Sequence, residues 1–144
     1  MRVLVDTPVW SLAFRRRQRT SAEQALVAEL SELVLESRAT LIGPIRQEVL
    51  SGLSDVRQFV LLRDQLAAFD DLTLSTEVYE RAAELYHTCR TKGVQGSHVD
   101  FLICAAAESH AVSILTTDGD FENYSRYIRL SLHALRTLSG SIAF

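Results

Sequence analysis

The sequence predicts an α/β domain with a central, mostly parallel sheet of about five strands. Short apolar runs alternate along the chain with longer segments whose apolar residues recur at helical spacing. The chain has 144 residues, 47% of them hydrophobic, and shows no internal repeat or linker composition. This length suits one ordinary hydrophobic core, so we expect residues 1–144 to form a single domain.

Five apolar runs carry the pattern of buried strands. Each is short and bounded by polar or turn residues, which is typical of strands covered on both faces. The run at residues 72–74 is the weakest of the five. The predicted strands are residues 3–5, 40–42, 72–74, 112–116 and 128–130.

The segments between these strands carry helix signals. Ser21 and Gln24 have the spacing of a capping box, which predicts a helix N-cap at Ser21. Lys92 and Gly93 stand in the order expected at a helix C-terminus, and Ser97 is a typical N-cap. The predicted helices are one after Asp6, one from Ser21, one with Pro44 at its first position, residues 54–68, one ending at Lys92, and one from Ser97 to about His110.

Composition excludes several functional classes. The chain has 15 basic and 18 acidic residues, a formal charge of −3, which argues against binding nucleic acid through bulk positive charge. Cys89 and Cys104 lie among apolar residues without the spacing of a disulfide framework or a zinc site. The longest apolar run, residues 101–107, is too short to span a membrane. We therefore expect a soluble cytoplasmic protein with buried free thiols and no membrane contact.

Four acidic residues follow strands of the predicted sheet. Asp6 comes directly after the first strand, and Glu48 lies one turn into the helix after the second. Asp100 is in the first turn of the helix capped by Ser97, and Asp118 follows the fourth strand. Right-handed crossovers bring the carboxyl ends of parallel strands to one edge, where sites form. Carboxylates packed together need a compensating cation, and their hard oxygens suit Mg²⁺ or Mn²⁺.

Three of these acids also have a structural interpretation. Asp100 completes a near capping box with Ser97, Asp118 opens an Asp-Gly turn, and Glu48 suits a solvated helix surface. Asp6 is harder to explain in this way because it follows a buried strand. Their occurrence together at one edge favours the metal site over four unrelated structural roles.

The segments that carry these acids resemble the PIN domain family. The resemblance runs from Arg2 to Phe121 and is closest to the VapC toxins of bacterial toxin–antitoxin pairs. It rests on the ordered set Val-Leu-Val-Asp6-Thr7, Glu48 in a short helix, Asp100-Phe-Leu-Ile-Cys-Ala-Ala-Ala, and Thr116-Thr-Asp118-Gly-Asp120-Phe121.

The resemblance implies a three-layer α/β/α domain that acts as a Mg²⁺- or Mn²⁺-dependent endoribonuclease. It also implies inhibition by a small VapB-type antitoxin and a homodimer. The residues that match the family's acidic quartet are Asp6, Glu48, Asp100 and Asp118. Asp120 matches an assisting acid, and Thr7 and Thr116 match hydroxyl positions of the pocket. Asp118 and Asp120 are alternatives for the fourth ligand, and Asp118 is preferred because it leaves the strand first.

Two further features bear on partners. Four arginines lie close together soon after Asp6 and predict phosphate contacts with RNA, the alternatives being an exposed helix end or an anchor for an acidic patch of the antitoxin. They are Arg15, Arg16, Arg17 and Arg19. The apolar faces of residues 26–34 and 53–66 suit either core packing or a groove for an antitoxin helix.

Other functions compete with this interpretation. A phosphohydrolase with Asp6 as nucleophile needs a second acid two residues after Asp6 and a lysine after a later strand. Residue 8 is a proline, however, and the only lysine, Lys92, lies at the end of a predicted helix. A metal-free acidic binding module and a housekeeping RNA-processing nuclease remain alternatives. If the four acids form a metal pocket, the rest of the chain carries a formal charge of +1.

Overall fold

Three parallel strands form the sheet, with the first at its centre. In the computed structural model, which describes residues 1–14 and 18–136, β1 (Val3–Val5) lies between β2 (Ala39–Thr40) and β3 (Ser113–Leu115). Both pairings are parallel, and every residue of β1 and β3 is buried. The sheet is therefore covered on both faces, as the continuous apolar runs predicted.

Seven helices flank this sheet within the described residues. The most buried is α6, in which all seven residues from Phe101 to Ala107 lie in the core. The helices are α1 (Thr7–Phe14), α2 (Ser21–Leu35), α3 (Gly43–Ser51), α4 (Val56–Leu66), α5 (Thr76–Thr91), α6 (His98–His110) and α7 (Asp120–Tyr124). The alternation of strands and helices confirms the predicted α/β class with a parallel sheet.

One isolated parallel bridge extends the sheet at each edge. Leu41, next to β2, pairs with Asp71, and Ile114 of β3 pairs with Leu132. Five segments of the described chain thus contribute to the sheet, although only three of them are strands.

The strands predicted at residues 72–74 and 128–130 are wrong in position. At the first, the Arg46 guanidinium binds the Asp71 carboxylate and donates to the carbonyl oxygen atoms of Leu66 and Phe69. The Leu72 N–H donates to the Leu41 carbonyl at 2.9 Å in a single bridge, and the strand pairing does not continue to residues 73 and 74. At the second, the Ile128 N–H donates to the Tyr124 carbonyl in a turn that closes α7.

Except at α2, the helix termini lie within two residues of the predictions: Pro44 is the second residue of α3 rather than the first, and α4 spans residues 56–66 rather than 54–68. At α2 the cap itself differs from the prediction. Its N-cap is Thr20 and not Ser21: the Thr20 hydroxyl accepts from the Glu23 N–H, and the Glu23 carboxylate accepts from the Thr20 N–H. The reason is that the charged Glu23, three residues after Thr20, completes the box more strongly than Gln24 does after Ser21. Gly93, at φ 77°, ends α5 in the left-handed conformation that favours glycine.

Cys89 and Cys104 are free and buried, as the sequence predicted. Across the described ranges, no helix combines the length and the apolar character needed to cross a bilayer.

Candidate metal centre

Asp6 is a buried carboxylate at the carboxyl end of β1, with 7% of the residue exposed. Its two oxygen atoms accept hydrogen bonds of 2.8 Å from the Thr7 N–H and from the Thr116 hydroxyl. Burial raises the pKa of Asp6, and the charges of Asp100 and Glu48 add to this rise, outweighing the two hydrogen bonds. The site therefore concentrates negative charge that a cation would stabilise.

Thr116 connects the ends of two neighbouring strands. Its hydroxyl donates to Asp6 Oδ2 and accepts the Asp118 N–H at 3.0 Å. The Asp6 N–H in turn donates to the Leu115 carbonyl at 2.9 Å. These bonds set the turn after β3 against the end of β1, where the sequence predicted that the acids would meet.

Asp100 is held at its backbone and at its side chain. Its N–H donates to the Ser97 hydroxyl at 3.0 Å, and its Oδ2 accepts from the Tyr124 hydroxyl at 2.6 Å. Burial raises the pKa of Tyr124, and the hydrogen bond to Asp100 raises it further. The Tyr124 hydroxyl is therefore a protonated donor to the Asp100 carboxylate at all ordinary pH values.

Asp118 and Asp120 lie in the turn between β3 and α7, beside Asp100. The Asp120 N–H donates to Asp118 Oδ1 at 2.9 Å. One carboxylate oxygen from each of Asp100, Asp118 and Asp120 lies within 4.8 Å of the others. Three carboxylate oxygen atoms at this spacing form a group that could hold one metal ion.

Glu48 lies apart from this group of three carboxylates. It is an exposed residue of α3, and its charge reaches Asp6 strongly enough to raise the Asp6 pKa. Of the four predicted quartet members, the structure brings Asp100 and Asp118 together with Asp120. Asp6 is linked to Asp118 through Thr116, and Glu48 on α3 interacts with Asp6 through its charge.

The donor set fits a hard divalent cation. Between described residues, none of these five acids forms an ion pair with an arginine, lysine or histidine. The Thr7 hydroxyl oxygen, next to Asp6 in the chain, is buried without a hydrogen-bond partner in the described part of the protein. Uncompensated carboxylates and a spare hydroxyl are what Mg²⁺ or Mn²⁺ and its bound water require.

The sequence profile of the PIN domain matches residues 3–127, which include all five acids. The chain belongs to the PIN domain family. No protein with a curated function matches the sequence significantly.

Solved structures share the fold of this PIN domain at low sequence identity. A chain of VapBC2 from Rickettsia felis, bound to a DNA fragment from the promoter, has a TM-score of 0.71 and 17% identity over 92% of this chain and 98% of that one. FitAcB from Neisseria gonorrhoeae has a TM-score of 0.69 and 21% identity over 92% of this chain and 96% of that one. A toxin–antitoxin complex from Klebsiella pneumoniae has a TM-score of 0.61 and 21% identity over 83% of this chain and 89% of that one. These similarities show that the fold of most of this chain recurs in solved structures of low sequence identity.

The arginines predicted to bind phosphate are only partly within the described chain of this PIN domain. Arg15, Arg16 and Arg17 lie outside it. Arg19 is half-buried and donates to the Ala13 carbonyl at 3.0 Å, so it packs against the end of α1. Phosphate binding by this group stays a prediction.

Sequence reasoning missed Tyr124, which contacts Asp100 directly. The only signal in the sequence is a tyrosine four residues after Asp120. That spacing is equally typical of a core aromatic in a short helix, and Tyr124 is indeed fully buried. Its hydrogen bond to a residue 24 positions away is a product of the tertiary fold.

Proposed function

We propose that this PIN domain is a Mg²⁺- or Mn²⁺-dependent endoribonuclease and the cytoplasmic toxin of a type II toxin–antitoxin pair. The observation that carries the proposal is the cluster of Asp100, Asp118 and Asp120 beside the buried Asp6, at the carboxyl edge of a parallel sheet. The toxin role is supported by structures of the same fold that are VapBC2 and other toxin–antitoxin complexes.

The acids have two proposed roles, cation binding and activation of the attacking water. Asp100, Asp118 and Asp120, together with the buried Asp6, would hold the cation. When bound, the ion supplies Lewis-acid chemistry, lowering the pKa of a water molecule and polarising the scissile phosphate. Glu48, which is exposed and outside the cluster, orients the attacking water and accepts its proton.

The proposed cleavage is an in-line displacement at phosphorus. The water oxygen forms a new bond to phosphorus while the bond from phosphorus to the 3′ oxygen breaks. The 3′ oxygen takes up a proton from solvent and leaves as a hydroxyl, and the carboxylate then releases to solvent the proton that it accepted from the water. The products are a 3′-hydroxyl and a 5′-phosphate.

Incubation with total RNA tests the activity. With Mg²⁺ or Mn²⁺ we expect discrete fragments that EDTA abolishes, and a rate at least about 100-fold lower for Asp100→Asn. Asp64→Asn is the matched control, because Asp64 is an exposed acid paired with Arg63 on α4. Cleavage that is unchanged by EDTA, or equal rates for Asp100→Asn and the parent, would disprove a metal-dependent nuclease.

A groove next to α4 suits the proposed VapB-type antitoxin. It has a volume of about 360 Å³ between the end of α1 and α4. Its lining combines apolar residues with the polar Arg19, Gln58 and Gln65; the apolar ones include Phe14, Leu53 and Leu61. Leu61 and Val56 of α4 are 59% and 76% exposed. The predicted face over residues 53–66 thus presents apolar surface to solvent, whereas Leu30 and Leu33 of the other predicted face are core residues.

A VapB-type antitoxin encoded beside the gene would provide the test of this groove. Leu61→Asp is expected to weaken inhibition by the purified antitoxin by about tenfold or more while leaving RNA cleavage by the free toxin unchanged. Leu35→Asp is the control, since Leu35 is 78% exposed at the end of α2. Equal inhibition of Leu61→Asp and the parent would place the antitoxin on another surface.

A further inference from the structure

Tyr124 fills a closed slot behind Asp100. Its ring has no exposed surface and packs between Phe101, with ring centroids 4.8 Å apart, and Phe121, at 5.3 Å. The hydroxyl at the end of this fixed ring donates to Asp100 Oδ2 at 2.6 Å. One oxygen of Asp100 is thus bound by a group that cannot move away without opening the core.

Gly96 forms the wall of the slot. A Cβ atom at this position would lie 2.2 Å from the Tyr124 hydroxyl oxygen, 2.7 Å from Tyr124 Cζ and 2.8 Å from Phe101 Cε2. All three distances are shorter than real carbon contacts, and neither ring is a flexible chain that can yield. Any side chain at position 96 therefore forces the Tyr124 ring, the Phe101 ring or the backbone at position 96 to shift.

Among the clustered acids, Asp100 is the one that accepts the hydrogen bond from Tyr124. The Asp118 side chain accepts the Asp120 N–H within its own turn, and Asp6 is bound by Thr7 and Thr116. The Asp100 carboxylate receives its hydrogen bond from a tyrosine held by the aromatic core. A side-chain donor behind a metal-binding carboxylate fixes its orientation, and loss of such a donor typically costs 10- to 100-fold in metal affinity.

We infer that Tyr124 is a positioning residue, which holds the Asp100 carboxylate in the orientation that binds the divalent cation, and that Gly96 is required to admit its hydroxyl. The inference rests on the proposed function, because it concerns the same cation. A tyrosine that only filled the core would make no difference to metal binding once the protein was folded.

Titration of the apo protein with Mn²⁺, followed calorimetrically, tests the role of the hydroxyl. Tyr124→Phe keeps the ring and removes the hydroxyl, so we expect the Mn²⁺ dissociation constant to rise about tenfold and RNA cleavage to recover at saturating Mn²⁺. Tyr127→Phe is the control, because Tyr127 lies three residues after Tyr124 and is 42% exposed. This variant should bind Mn²⁺ with the affinity of the parent. Urea unfolding in EDTA establishes that each variant is folded.

Two further variants separate positioning from packing. Gly96→Ala should weaken Mn²⁺ binding to a similar degree, whereas Gly52→Ala, where the nearest atom to the new Cβ lies at 3.5 Å, should not. In an Asp100→Asn background, Tyr124→Phe should cause no further loss, because its effect passes through Asp100.

The outcomes distinguish this inference from the proposed function. Parent affinity in a folded Tyr124→Phe protein, or a full tenfold loss in the Asp100→Asn background, overturns the positioning role and leaves the nuclease proposal standing. A parent protein that binds no Mn²⁺ overturns both.

Discussion

At the scale of single residues, one hydroxyl joins acids that come from opposite ends of the chain. Thr116 Oγ1 donates to Asp6 and accepts from the Asp118 backbone, so it sets the distance between β1 and the turn after β3. Asp6 is buried, and its pKa is raised mainly by that burial. A buried carboxylate that loses one of two donors becomes less stable, since water does not reach it to replace the bond.

Thr116→Val tests this hydroxyl with little change of shape. We expect a loss of about 1–2 kcal/mol in the free energy of unfolding, measured by urea denaturation, and slower RNA cleavage. Thr116→Ser keeps the hydroxyl and serves as the control, with both properties near those of the parent. If the valine and serine variants are equally stable, the bond to Asp6 contributes nothing.

At the scale of elements, the start of α2 depends on one reciprocal cap. Thr20 and Glu23 each satisfy a backbone N–H of the other, and Ser21 is the first residue inside the helix. A capped first turn fixes where α2 begins and therefore which of its residues, such as Leu30 and Leu33, face the core.

Alanine substitutions at two adjacent positions distinguish the observed cap from the predicted one. Thr20→Ala should lower the free energy of unfolding by about 1 kcal/mol, because the Glu23 N–H loses its acceptor. Ser21→Ala should change it by less than about 0.5 kcal/mol. Thermal or urea unfolding measures both, and a larger loss for Ser21→Ala would mean that the helix begins one residue later.

At the scale of the whole molecule, a buried ionic cluster ties the last described segment to α2. Glu29 is 1% exposed, and its carboxylate accepts hydrogen bonds from His133 and from Arg136, the latter at 2.9 Å. Arg136 also binds Glu36 with two hydrogen bonds. Burial on its own raises the pKa of Glu29, but the bonds and charges of His133 and Arg136 outweigh it and hold the pKa below its ordinary value.

This cluster predicts how stability depends on pH. Because the pKa of Glu29 is lower in the folded than in the unfolded protein, its contribution is present above the ordinary value of 4.5 and is lost as the pH falls through the lower folded value. At pH 7 the free energy of unfolding of Glu29→Gln should be about 3 kcal/mol lower than that of the parent. It should also decrease less than that of the parent as the pH is lowered. Urea unfolding at several pH values measures this, with Glu32→Gln, an exposed position of the same helix, as the control. If the free energy of unfolding falls equally with decreasing pH in Glu29→Gln and in the parent, the role of the cluster is contradicted.

Local patterns predicted the elements whose signals lie within one or two turns of chain. The apolar run of α6, its Ser97 cap and the Gly93 end of α5 all follow from neighbouring residues. The edge segments were placed wrongly because an edge pairs on one side only and is positioned by side chains from elsewhere. Asp71 lies where it does because Arg46, 25 residues before it, binds it.

The sequence by itself determined the class of the fold and predicted which acids form the site. Both follow from local properties, namely the spacing of apolar residues and the position of an acid directly after a strand. The tertiary structure decided which acids share a cluster: Asp100, Asp118 and Asp120 converge, and Glu48 stays at the surface of α3. It also introduced Tyr124 and Gly96, whose role depends on the packing of α7 against α6. The physical reason is that hydrogen bonds and close contacts between distant segments depend on distances of a few ångströms, and a linear pattern carries no such distances.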